Sequence, residues 1–303
     1  SKALEFGTRT VTTASSGNAA ASLAAYSAKA GLKCVAFVLE FASPTKIAQI
    51  HLYGAQAIKV EAVEEGLDPT VQMLRMVVEE YGWYPCPSFG PFNPYQVEGP
   101  KTISYELIEQ LNWDSPDWVM IPVGSACLLT GVWKGFVDFH EMDYIDSFPK
   151  LAAIQSTGCA PLVRAFKARK DPFEIEPWKH PNTVAGGLAD VLPWDGDAAL
   201  VALEKGGTAE AVSDEEILRA QKLLASTEGI FAEPSGVTSL AGLFKLVDRS
   251  VIDKDETVVV LITGSGLKDP AAVMKTFEGA PTIKPSIQEL EKILNSDGNL
   301  GLP

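Results

Sequence analysis

Hydrophobic and polar positions along the chain fall into two alternating kinds of segment: short β-branched or apolar runs, and longer stretches with helical spacing. Arg9-Thr10-Val11-Thr12 reads as a strand, and Lys33-Cys34-Val35-Ala36-Phe37-Val38-Leu39 as another, apolar enough for a buried parallel sheet. Between them, residues 19–29 are almost all Ala, Ser, Leu and Tyr, which favours a helix and lets it pack close to a sheet. Residues 44–53 are predicted helical and stop at Gly54; Ala57-Ile58-Lys59-Val60 is a third strand and residues 68–81 a longer helix. Beyond a stretch rich in Pro, Gly and aromatics (residues 85–100), the pattern predicts a helix over 102–111 and strands at 118–121 and 150–155. Residues 172–197 read as irregular. Ser213-Asp214-Glu215-Glu216 is a capping box opening a helix to about Ser226, and residues 236–249 are apolar at helical spacing. Thr257-Val258-Val259-Val260-Leu261-Ile262 reads as the clearest buried strand, and residues 286–294 as a short amphipathic helix. Strand and helix alternating without hairpin turns predicts an α/β fold with parallel sheets.

Composition narrows the function classes. The 303 residues allow two domains, and 46% apolar content is ordinary for a globular protein. A formal charge of -14 argues against nucleic acid or an anionic membrane as partner. Cys34, Cys86, Cys127 and Cys159 are scattered with no C-x-x-C pair, which suits reduced thiols and a cytoplasmic setting. No apolar run reaches the length of a membrane span. His51, His140 and His180 are isolated, so no metal site is expected. The chain opens at Ser1 in what reads as mid-helix, and its true beginning is expected to lie upstream.

Three loops follow predicted strands. Ser15-Ser16-Gly17-Asn18 opens the first helix and fits plain N-capping as well as an anion seat on the helix's free N–H groups. Gly124-Ser125-Ala126-Cys127-Leu128 has the form strand, small residues, helix, which suits a phosphate group. Thr263-Gly264-Ser265-Gly266 follows the most apolar strand, at the strand end where parallel sheets face their ligands. No G-x-G-x-x-G, P-loop lysine or G-x-S-x-G elbow accompanies them.

Ser15-Ser16-Gly17-Asn18, Asn93-Pro94-Tyr95-Gln96-Val97-Glu98-Gly99-Pro100-Lys101-Thr102 and Thr263-Gly264-Ser265-Gly266-Leu267-Lys268-Asp269-Pro270 stand in the order seen in threonine synthases. From Ser1 to about Pro285 the chain resembles this family, which has the second fold type of pyridoxal-phosphate (PLP) enzymes, tryptophan synthase beta-like. The resemblance implies two open parallel-sheet lobes, each a three-layer αβα arrangement, with the cofactor cleft between them. Residues 1–104 would form a smaller mobile lobe whose N-terminal part is missing, and 105–303 a larger lobe carrying the cofactor phosphate. Asn18 would meet the cofactor's ring hydroxyl, and Ser15, Ser16 and Gly17 the substrate carboxylate. Gly124, Ser125, Ala126, Cys127 and Leu128 would cradle the phosphate, and Thr263 would face the pyridine nitrogen. Glu233-Pro234-Ser235 resembles the family's segment beside the ring. The implied activity is a carbon–oxygen lyase making threonine and phosphate from O-phosphohomoserine and water, in a homodimer.

The chain departs from the family in four places. The Schiff-base lysine motif Ser-Phe-Lys-Asp-Arg does not occur in these 303 residues, so no catalytic residue is assigned. Gln96 stands where the family usually carries an Arg that grips the substrate phosphate, and a neutral amide binds phosphate less well than a charged fork. Residues 183–190 lack the family's Ile-Arg-Ile-Gly-Asn run and look closer to the Ala-Asp-Gly segment of serine/threonine dehydratases. Ala126 and Cys127 replace the usual glycine or asparagine. The alternatives are therefore a β-eliminating ammonia-lyase and a non-catalytic paralogue that binds PLP or an amino acid.

Overall fold

A computed structural model describes residues 1–40, 42, 44–61, 68–270 and 280–296. The chain divides into two units, Ser1–Asp269 and Pro270–Pro303. The second contains one described helix, Ile287–Ser296 (α11).

The first unit is built on two four-stranded sheets in which every strand pair is parallel. One contains β1 (Thr10–Ala14), β2 (Lys33–Leu39), β3 (Gln56–Val60) and β4 (Tyr84–Pro85), in the order β3-β2-β1-β4. The other contains β5 (Trp118–Pro122), β6 (Lys150–Ser156), β7 (Thr208–Val212) and β8 (Val258–Val260), in the order β7-β6-β5-β8. Helices connect the strands: α1 (Lys2–Glu5), α2 (Asn18–Ala30), α3 (Pro44–Leu52), α4 (Pro69–Tyr81), α5 (Glu98–Gln110), α6 (Cys127–Glu141), α7 (Pro161–Lys167), α8 (Gly196–Leu203), α9 (Asp214–Glu228) and α10 (Pro234–Asp248). In both sheets the strand leading into a candidate loop, β1 or β5, is an inner strand with a parallel neighbour on each side.

Small residues let the helices ride close to the sheets. Ala20 and Ala24 of α2 are buried against Val11, Cys34, Ala36 and Val38. The larger core packs Ile121, Leu129, Val132, Phe136, Leu151 and Leu162 around β5 and β6. Helix boundaries follow local chemistry. Asp68 caps α4 by accepting from Thr70 N, with Pro69 at the first helical position, and Gly82 ends the helix at φ 63°. Ser213 and Glu216 form the expected capping box of α9.

Two expectations need correction. The run expected to be the most buried strand forms only the three residues of β8, each half-buried, because β8 lies at the sheet edge and pairs with β5 alone among the described residues. An apolar run reports avoidance of water, not position in the strand order. The pattern also passes over α7, β7 and α8. Thr-Ala-Glu-Ala-Val is poor strand material by propensity, and it is held as an edge strand by pairing with β6. Its Glu210 is 6% exposed and lies between Lys167 and Arg249, which hold its carboxyl below its ordinary pKa despite burial.

Helices α5 and α6 cross at two glycines. A methyl group at Gly131 would lie 2.5 Å from Pro100 Cβ, and one at Gly135 would run into the Lys101 carbonyl oxygen. Gly135→Ala is expected to destabilise the fold by about 2 kcal/mol, since backbone rather than a flexible side chain must yield. A denaturant midpoint equal to the wild type's would contradict that packing.

Candidate active site

The first loop begins where β1 ends. Ser15 N still donates to Phe37 O of β2 (3.1 Å), and Ser15 Oγ accepts from Gly17 N (3.3 Å). Gly17 occupies the N-cap of α2, and no side chain caps that helix. Plain capping is therefore not what the two serines supply. The first turn of α2 keeps free N–H donors at the positive end of its dipole. Asn18 reaches away from its own helix: its Nδ2 donates to Glu233 Oε1 at 2.7 Å, across 215 residues of sequence.

Glu233 brings the third loop to the first. Its backbone N–H donates to Gly264 O (2.8 Å), and its side chain occupies the space that a Cβ at Gly264 would need. Thr263 N donates to Gly236 O (3.3 Å) in the first turn of α10. A methyl group at Gly236 would lie 2.7 Å from Gly264 N and 3.2 Å from Thr263 Oγ1. The Thr263 side chain is exposed beside this crossing.

The second loop joins through Ser235, whose Oγ accepts from Gly187 N (2.9 Å). A Cβ on Gly187 would lie 2.9 Å from that oxygen, and one on Gly124 would lie 3.2 Å from Gly187 O. Gly124 leads through Ser125 to Ala126, a non-glycine at φ 75° and the N-cap of α6, which again has no side-chain cap. Ser125 Oγ donates to Ser88 O (3.1 Å), while Ser125 O accepts from Asp195 N (2.9 Å). Direct contacts thus run from Asn18 through Glu233, Gly264, Thr263, Gly236, Ser235 and Gly187 to Gly124. Gln96 stands apart from this series, on the turn into α5, where its N–H donates to Asn93 O (3.0 Å). Ser16, Cys127 and Leu128 are half-buried and flank the first and second loops.

A cavity of about 380 Å³ opens beside Asn18, lined by Gly17, Lys46 of α3, Ser265 and Lys268 among others. Lys46 Nζ lies 3.7 Å from Asp269 Oδ2. The surrounding carboxyl groups are unusual. Burial pushes Asp190 up to about 6, with Asp68 adding to the shift, and its Oδ2 sits 2.8 Å from where a Gly124 Cβ would be. Burial also raises Asp195 to about 6, opposed by the Gly90 N–H that it accepts at 3.0 Å. Burial lifts Glu233 above its ordinary value, with the Asn18 hydrogen bond pulling the other way. The Cys127 thiol is pushed up to about 11 by burial, so it stays protonated and is no nucleophile at neutral pH. Among the described residues no group of three His, Cys, Asp or Glu side chains could hold a metal ion, and no helix is long and apolar enough to cross a membrane.

An uncapped helix start behind a loop where Gly124 has no room for a side chain, a neighbouring amide and an exposed hydroxyl at a strand end form the donor set that a phosphorylated aromatic ring needs. Residues 1–264 match the family described as pyridoxal-phosphate dependent enzyme. The threonine synthase of Methanocaldococcus jannaschii is 43% identical over 295 residues, which are 97% of this chain and 71% of that protein. This chain belongs to the threonine synthase family of pyridoxal-phosphate dependent enzymes. The Methanosarcina acetivorans threonine synthase is 41% identical over the same shares of the two chains. Two solved structures are similar in fold. The processed form of threonine deaminase isoform 2 from Solanum lycopersicum has a TM-score of 0.72 at 21% identity, covering 88% of this chain and 72% of its own. An L-serine ammonia-lyase from Rhizomucor miehei has 0.71 at 21% identity, covering 87% of this chain and 80% of its own. The fold is therefore the second PLP type, and the cofactor is pyridoxal phosphate.

Glu233, Asp190, Asp195 and Lys46 belong to the site's surroundings although the motifs alone assign them no role. Glu233, as the first residue of Glu-Pro-Ser, and Asp190, at the end of the flagged 183–190 run, carry a signal in the sequence; Asp195 and Lys46 carry none. Asp190 has a testable consequence. Its raised value means the folded chain holds a proton between about pH 4 and 6 that the unfolded chain has released, so stability falls as pH rises through that window. Asp190→Asn removes this slope. Measured by urea unfolding, the variant should gain about 2–3 kcal/mol on the wild type between pH 4 and pH 7.5. Parallel pH profiles for the two proteins would show that the carboxyl is not enclosed.

Proposed function

We propose that this chain carries the active-site frame of a threonine synthase, with O-phosphohomoserine and water as substrates and threonine and phosphate as products. The reading is carried by the convergence of Asn18, Thr263 and the Gly124 loop in a chain 43% identical to a threonine synthase. Bound pyridoxal phosphate supplies the electron sink for bonds made and broken on the amino acid.

The chain's own residues bind and orient. Ser15, Ser16 and Gly17 hold the substrate carboxylate on the free donors at the start of α2, where the dipole favours an anion. Asn18 meets the ring hydroxyl. Backbone N–H groups over Gly124–Leu128 hold the cofactor phosphate, with Ala126 in the left-handed conformation that turns the loop into α6. Thr263 would offer the pyridine nitrogen a neutral hydroxyl rather than a carboxylate, and so would not force a proton onto it. A mild sink favours elimination and replacement over transamination. Residues 1–104 carry the carboxylate loop and close over the substrate to exclude water from the leaving group. No lysine here matches the family's Schiff-base motif, and none is assigned that role.

Two sequence features favour a β-eliminating ammonia-lyase instead: Gln96 offers a substrate phosphate no charge, and residues 183–190 resemble the dehydratase segment. The protein from the complete reading frame containing this sequence separates the two when given O-phosphohomoserine or L-threonine. Threonine and inorganic phosphate from the first are expected. Ammonia from the second, with no turnover of the ester, would replace this reading. Gln96→Arg should raise kcat/KM for the phosphate ester by roughly tenfold, the difference of one charge-assisted contact.

A further inference from the structure

Asn18 is exposed at the mouth of the cleft, a setting in which an amide ordinarily turns freely and offers either end to a ligand. Here it is held. Its Nδ2 lies 2.7 Å from Oε1 of Glu233, which is 6% exposed and therefore committed to the partners it has. An ionised carboxylate only accepts hydrogen bonds, so turning the amide over would set oxygen against oxygen. Glu233 is itself immobile: its N–H is on Gly264 O, and its carboxyl group lies against Gly264. The charged groups acting on it are Lys46 from α3 and Lys268 and Asp269 from the third loop. The side chain bonded to its carboxyl among the described residues is Asn18.

We propose that Glu233 is a positioning residue that locks the Asn18 amide in one orientation, so that its second N–H meets the hydroxyl edge of the bound cofactor. The proposal rests on the assignment of Asn18 to that hydroxyl.

The test is a double-mutant cycle read as affinity, by fluorescence titration of the 303-residue chain with PLP and with its analogue lacking the 3-hydroxyl. Asn18→Ala and Glu233→Ala should each weaken PLP about tenfold, and the double variant should be no weaker than Asn18→Ala alone. Glu233→Gln, which can still accept from Asn18, should stay within about threefold of wild type. The analogue should be nearly indifferent to Glu233→Ala, whereas a merely structural role would weaken both ligands alike. If Glu233→Ala does not fold, the Asn18 side-chain amide signals of the wild-type chain decide. One Nδ2 proton should be protected without ligand, and the other should shift on adding PLP. Additive losses, an equal response of the analogue or two unprotected amide protons would overturn the role of Glu233 while leaving the cofactor assignment standing. A wild-type chain with no saturable PLP binding would instead overturn the cofactor assignment, and this role with it.

Discussion

Four backbone segments of this protein pass so close together that a single methyl group would part them. Gly124 against Gly187, Gly187 against Ser235, Gly236 against Gly264 and Gly264 against Glu233 are successive contacts with little or no room for a Cβ. Each segment belongs to a different stretch of sequence, and all four lie in the half of the unit built on the second sheet; the Asn18–Glu233 hydrogen bond ties the first sheet's loop to them. What this achieves is spacing. In the proposed site, a planar ring with a hydroxyl, a nitrogen and a phosphate arm would need partners at fixed separations, which tightly packed loops can supply. The close packing of α2 on its sheet by Ala20 and Ala24 serves the same end one layer further out.

The electrostatics of the cleft are less simple than its geometry. Both helix starts are uncapped and favour an anion, as a PLP site requires. Yet Asp190 and Asp195 lie beside the loop that would hold the phosphate, each raised to about 6 by burial. Near neutral pH they are mostly ionised, so the N–H donors must attract phosphate against two nearby negative charges. Lys46 and Lys268 lie on the other flank, near Glu233. The cleft thus has a cationic side by Asn18 and Glu233 and an acidic side by the Gly124 loop. Gln96 is neutral and adds no compensating charge.

Most of the fold was legible because parallel strands buried on both faces show as continuous apolar runs, and the helices between them carry their own stop signals at Gly31, Gly54 and Gly82. α7, β7 and α8 were not, because an alanine-rich edge strand and helices of seven and eight residues are held by tertiary contacts rather than propensity. β8 showed its chemistry but not its place at the edge. Within the site, the three loops announced themselves by composition, and their order tied them to one family. The links between them did not. Nothing in the spacing of Asn18 and Glu233 suggests that they touch, and nothing in the run at 183–190 says that Asp190 lies against Gly124. Contacts between residues so far apart in sequence are set by tertiary packing, which no local pattern encodes.

The central claim is that three separated turns hold one cofactor, and a crystal structure of the chain soaked with pyridoxal phosphate tests it most directly. The account predicts the phosphate on the N–H groups of Gly124–Leu128, the hydroxyl edge within hydrogen-bond distance of Asn18 and the ring nitrogen beside Thr263. A ligand seated elsewhere, or bound by the Lys46 and Lys268 flank with the Gly124 loop untouched, would contradict it.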